Sequence, residues 1–115
     1  MKAISTKTAE HYQWGDHCDG YHLVKSDKLS VIEEIVPAGA SEKNHYHDQA
    51  TQFFYILNGT GTLKINDDIV QLSAGEGIVI EPGTPHQFRN DSDRDVRFLV
   101  VSTPKSHGDR HEVSS

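Results

Sequence analysis

Between Leu29 and Ser102 the chain is divided into seven short β-rich runs, and this division limits the possible folds more than any other feature. The runs are Leu29–Val36, Thr51–Leu57, Thr60–Ile65, Ile69–Leu72, Ile78–Ile80, His86–Arg89 and Val96–Ser102. Turn-forming clusters separate them: Pro37-Ala38-Gly39, Asn58-Gly59, Asn66-Asp67-Asp68, Ala74-Gly75-Glu76-Gly77, Pro82-Gly83 and Asn90-Asp91-Ser92-Asp93. β-Branched and aromatic residues suit a pleated, half-buried surface, and Gly, Pro, Asn and Asp supply the backbone reversals. No window in this region sustains a helical apolar period with a start cap and a stop signal. The spacing predicts an all-β sandwich or barrel.

A length of 115 residues suits one domain. We expect residues 1–28 to pack on the barrel, with Trp14, Tyr21 and Leu23 as anchors. The barrel itself should span residues 29–103, and the polar residues 104–115 should form a tail that wraps the surface or frays. The formal charge of −6 and the lack of Lys/Arg clusters argue against nucleic acid or an anionic membrane as partner. The opening residues carry no apolar core of signal-peptide length, and no run is long enough to span a bilayer. The single cysteine, Cys18, has no internal disulfide partner, so a reducing, cytoplasmic setting is the expectation. It should be a half-buried, inert thiol.

Histidine is the compositional outlier, with eight in the chain. Metal sites and acid–base chemistry both recruit imidazole. In an extended segment His45 and His47 point to the same face and can reach one ion together. Taken alone, an H-x-H pair is more often a surface feature.

The residues around the pair alter that balance. Gly39 lies six before His45, position 52 lies five after His47, and Gly59 lies seven after position 52. A second frame holds Gly75, Gly83, His86 and Asn90, with His86 opening a strand. The two frames resemble the cupin family, whose motifs read G-x5-H-x-H-x3–4-E-x6-G and G-x5-P-x-G-x2-H-x3-N, over roughly two-thirds of the chain. The resemblance implies a double-stranded β-helix, or jelly-roll barrel. It also implies a metal ligand set at His45, His47, position 52 and His86. The ion would be one divalent transition metal: Fe, Mn, Ni, Co or Zn. Small cupins commonly pair, so a homodimer is expected.

Two positions depart from the family pattern. Glu81 stands where proline is usual, with Pro82 beside it, and Gln52 replaces the glutamate ligand. A neutral amide offers only its carbonyl oxygen and leaves the centre at its full double charge. Metal affinity should fall, bound water should become more acidic, and anionic chelators should bind better. Alternatively, Gln52 hydrogen-bonds a neighbouring imidazole or water without touching the ion.

Other residues carry weaker signals. Tyr46 should face outward, and Asp48 should lie in an exposed loop. Phe54, Ile56 and Phe88 share the ligands' parity, as pocket lining or ordinary core. Gly59 and Gly83 should sit at positive φ, and Gly39 and Gly75 at tight strand entries. Asn90 reads as a turn residue. For His11, His17, His22, His107 and His111 surface or capping roles are the default. Arg110 either closes over the pocket to hold an anion or forms a surface salt bridge. No general base is evident within the motif frame beyond the ligands, and catalytic residues cannot be named from the sequence. The leading expectation is a metal-dependent enzyme acting on a small, oxygen-rich, anionic metabolite, of dioxygenase, isomerase, lyase or cyclase type. The alternative is a non-catalytic module that binds or senses a small ligand.

Overall fold

The computed structural model describes residues 1–113. Among these the chain is all β, in eleven strands: β1 (Glu10–Trp14), β2 (Cys18–Lys25), β3 (Ser30–Val36), β4 (His45–His47), β5 (Thr51–Asn58), β6 (Thr60–Ile65), β7 (Asp68–Ser73), β8 (Gly77–Ile80), β9 (His86–Arg89), β10 (Val96–Thr103) and β11 (Arg110–Glu112). All seven runs expected from the sequence are strands, within a residue or so at each end. No helix among the described residues is long and apolar enough to cross a membrane.

The strands form two antiparallel sheets, ordered β1-β2-β3-β10-β5-β8 and β11-β4-β9-β6-β7. Strands distant in sequence lie side by side, as in a jelly roll: β10 pairs with both β3 and β5, and β9 lies between β4 and β6. The core fills the space between the sheets. Ile56, Leu63, Phe88, Val96 and Phe98 are almost wholly buried there. Phe88 stacks on Phe98 at 4.0 Å between ring centroids, and Phe54 lies about as far from each, at 6.1 and 6.0 Å. The rings thus join β5, β9 and β10 across both sheets, with their planes 9° to 24° apart.

Both ends of the chain contribute more than the sequence suggests. Residues 1–28 add β1 and β2 to the larger sheet, with β2 paired to β3 over most of its length. Tyr21 and Leu23, the expected anchors, are only half-buried, whereas Cys18 and His22 face inward. Trp14 does pack against the core. Residues 110–112 form an edge strand along β4, so the tail does not simply wrap or fray.

Two polar devices set the corners. Asn90 is fully buried; its amide donates to the carbonyls of Val36 (2.9 Å) and Arg94 (2.6 Å), and its Oδ1 accepts from the Ser92 N–H and hydroxyl. This confirms a turn role and ties the β9–β10 loop to the end of β3. Gly59 has φ of 87°, and a Cβ there would stand 2.8 Å from the Asp95 carbonyl oxygen. Only glycine fits both demands.

Candidate metal centre

His45 and His47 protrude from one face of β4, with Tyr46 between them turned outward to stack on His111 at 5.0 Å. His86 opens β9 and pairs with His45 in register. The Gly83 N–H donates to the His47 carbonyl at 2.7 Å, which ties the turn before His86 to β4. One ring nitrogen from each of His45, His47 and His86 lies within 4.8 Å of the others, an arrangement able to hold one metal ion. All three rings are at most 6% exposed.

The tautomers suit a cation. The Nδ1 of His45 lies 2.8 Å from the Lys43 carbonyl, and that of His86 lies 2.9 Å from the Thr84 carbonyl. A carbonyl only accepts, so each Nδ1 bears the proton and each Nε2 presents a lone pair. His47 Nδ1 is buried with no hydrogen-bond partner among the described residues. Burial pushes His45 down to about 3 and His47 to about 4, and it also lowers His86. The rings are therefore neutral at ordinary pH, as metal ligands must be.

Gln52 joins the cluster from the opposite sheet. Its Nε2 donates to Ser102 Oγ at 3.0 Å, and its Oε1 stands 3.1 Å from His86 Nε2. In this orientation two acceptors face each other, and a cation between them would turn repulsion into shared coordination. Ligands at right angles, about 2.1 Å from one ion, stand about 3 Å apart. With the amide rotated, Nε2 would donate to His86 and Oε1 would accept from the Ser102 hydroxyl. The position therefore suits either role expected for Gln52.

A cavity of about 360 Å³ opens from the cluster, lined on its apolar side by Trp14, Ile32, Phe54 and Val100. Ile56 and Phe88 belong to the core behind it. Arg110 lines the cavity from β11, and its Nη1 is 4.0 Å from Oε1 of Glu42, a carboxylate on the cavity wall rather than at the surface. His107 is exposed, as expected, and also lines the cavity. His22 departs from the surface default, at only 7% exposed. His11, His17 and His111 lie at the surface beside Asp19, Asp16 and Asp48. Asp48 is exposed, as expected. Cys18 is fully buried rather than half-buried, and burial pushes its thiol up to about 11, which makes it inert.

Three titratable cavity residues escaped the sequence reading: Tyr12, Glu34 and Glu42. Burial raises Glu34 to about 8, helped by the charge of Glu42, and raises Glu42 to about 7. Glu42 is committed structurally: it accepts the Phe88 N–H at 2.9 Å and lies 3.8 Å from His45 Nδ1. Its proximity to the ligands in sequence was a usable signal. Tyr12 and Glu34 lie outside both motifs and had none.

Comparison with known proteins agrees with this fold. An uncharacterised protein of Methanocaldococcus jannaschii is 33% identical over 89 residues, covering 76% of this chain and 71% of that protein. An oxalate-binding protein of Thermotoga maritima is 32% identical over 66 residues, 57% of this chain and 54% of its own length. This chain thus spans only about half of the latter relative. The polyketide cyclase RemF from Streptomyces resistomycificus superposes with a TM-score of 0.84 over all of this chain and 87% of its own, at 22% identity, a likeness of fold. The model of the cupin domain matches residues 32–102, and with both sheets and the histidine cluster in place the chain belongs to the cupin family.

Proposed function

We propose that this protein is a metal-dependent enzyme that acts on a small, oxygen-rich anion, with one divalent ion (Fe, Mn, Ni, Co or Zn) held by His45, His47, His86 and the Gln52 carbonyl oxygen. The observation that carries this reading is the set of buried, neutral imidazoles aimed, with an amide oxygen, at one point on a cavity wall. Such an ion supplies Lewis-acid polarisation of a chelated oxygen, the common basis of dioxygenase, isomerase, lyase and cyclase chemistry. The chain's own residues do the rest. Arg110 attracts and orients a carboxylate, and Trp14, Ile32, Phe54 and Val100 keep the chelated end dry. The neutral Gln52 leaves charge for an anionic ligand to neutralise. A binding or sensing role without turnover is the second reading, favoured by the oxalate-binding relative.

Metal analysis of protein purified without a histidine tag tests the site. We expect close to one transition-metal ion per chain, and oxalate should quench or shift the fluorescence of Trp14, the only tryptophan. A chain that takes up none of the five metals on reconstitution would rule the reading out. Gln52→Glu separates the two roles of that residue. As a ligand, the new carboxylate should tighten metal binding at least tenfold and weaken oxalate, because the ion it meets is less positive. Unchanged affinity for both would show that the charge of residue 52 does not matter.

We further propose a homodimer through the outer face of the larger sheet. Val31, Val101, Phe53 and Val79 form one cross-strand row there, with Phe53 37% and Val79 52% exposed. A contiguous apolar row of this kind favours a self-complementary contact. Light scattering should give twice the 12.8 kDa chain mass, and Phe53→Lys should halve it. A wild-type monomer at micromolar concentration would refute the pairing.

A further inference from the structure

The histidines belong to the smaller sheet, and the larger sheet faces them with a carboxyl group that the fold does not use. Along β3, Ser30, Ile32 and Val36 are buried, and Glu34 falls in the same inward alternation, where it lines the cavity. A carboxyl group placed among core-facing positions is unfavourable unless paired or functional. Glu34 has no hydrogen-bond or ion-pair partner among the described residues; Glu42 and Arg110 influence it only through their charge. Glu42, by contrast, is held by the Phe88 N–H.

Gly20 explains how the neighbouring group is brought in. It lies between Glu34 on β3 and Tyr12 on β1, in register with both. Its φ is not in the left-handed region, so backbone freedom does not require glycine. Space does: a Cβ there would stand 2.3 Å from the Tyr12 ring and 2.6 Å from its hydroxyl. The missing side chain lets the Tyr12 ring lie across β2 toward Glu34, a close approach of the kind an interior strand glycine often marks.

We propose that Glu34 is the acid–base residue of this site, with Tyr12 as its positioning neighbour, and that the substrate is a small anion with an exchangeable proton beside its chelating oxygens, as in a 2-oxo acid. The inference rests on the metal-site reading above. In the step, the Glu34 carboxylate takes a proton from the carbon next to the carbonyl. The C–H bond breaks, its electron pair forms a C=C bond as the carbonyl π pair moves onto oxygen to give an enolate, and the Glu34 acid returns a proton to the same carbon as the C=O bond re-forms. Nothing is oxidised or reduced. The groups facing Glu34 are Tyr12 from β1, Cys18 from β2, Glu42 from the segment before β4, Arg110 from β11, and the histidines across the cavity. Burial and Glu42 hold Glu34 near 8 against the pull of Arg110, close to the working pH at which proton transfer is most effective.

Pyruvate and oxalate serve as probes with the zinc-loaded protein. In D₂O, wild type should exchange the pyruvate methyl protons faster than zinc in buffer, as read by proton NMR. E34Q should lower that rate about 100-fold, with zinc content and pyruvate affinity (Trp14 fluorescence) within about twofold of wild type. Y12F should lower it less and shift its pH midpoint. Oxalate, which has no carbon-bound proton, reads the charge of Glu34 by binding alone. Its affinity for wild type should fall as pH rises through about 8, where the acid becomes a carboxylate facing a dianion, and the E34Q profile should be flat there. If wild type binds zinc and oxalate but exchanges pyruvate no faster than free zinc, or if E34Q keeps the wild-type rate and pH profile, the role of Glu34 is overturned and the metal site stands. If wild type takes up neither zinc nor any of the other four metals, both readings fall.

Discussion

Replacing His47 with alanine is expected to strip the protein of its metal while leaving the barrel folded. His47 is buried, yet its Nδ1 has no hydrogen-bond partner among the described residues and its ring serves no core contact comparable to the Phe54, Phe88 and Phe98 stack. Its strand is held independently: β4 pairs with β9 on one side and with β11 on the other. Losing one of three neutral imidazoles should weaken metal binding by well over 100-fold, since even loss of a group that only orients a ligand costs about 10–100-fold. Metal-to-protein ratio by mass spectrometry reads the loss directly. Thermal melts give a second measure, because an ion that binds only the folded state raises the melting temperature of wild type, and that gain should vanish in the variant. Full occupancy in His47→Ala would remove His47 from the ligand set. An unfolded variant would instead make the residue structural.

Phe98→Ala should lower the stability of the fold by about 3–5 kcal/mol. The side chain is wholly buried on β10, between Glu34 of β3 and Ile56 of β5 in register. Truncation removes its transfer free energy and opens a hole that the rigid sheets on either side can only partly close. The effect should reach the metal centre as well. Phe54 packs edge-on against His86 at 5.9 Å and against Phe98 at 6.0 Å, so without Phe98 it loses one of the rings that hold it in place. We therefore expect weaker metal binding together with the lower urea midpoint. A stability change below about 1 kcal/mol would show that the core re-closes and that the aromatic stack is not its centre.

The barrel strands could be read in the sequence because their signals are local. Asn58-Gly59 and Pro82-Gly83 punctuate the chain wherever they fall, and Val96 to Ser102 alternates buried and half-buried residues as a strand with one face on a core must. β2 was hidden for the opposite reason. Its inward residues are Cys18, Gly20 and His22, small or polar, while Tyr21 and Leu23 point outward, so the apolar pattern inverts and gives no strand signal. β11 is three exposed residues, and only its pairing with β4 makes it a strand.

The sequence by itself determined the all-β class, the corner turns and the closeness of His45 to His47, because a period of two and the turn residues act within a few positions of the chain, while the jelly roll was implied by the resemblance to the cupin family. It also placed His86 and Gln52 in the right frame through the two motifs. The tertiary structure alone decided what faces them. Glu33 and Glu34 are adjacent and chemically identical, and a strand must send them to opposite faces. Register, set by pairing with β2 and β10, turns Glu34 into the cavity and Glu33 outward to Arg97. A slip of one residue would exchange them. Arg110 and Tyr12 are likewise brought to the cavity by strands from opposite ends of the chain. Such long-range pairing depends on what the rest of the barrel leaves unpaired, which no local pattern encodes.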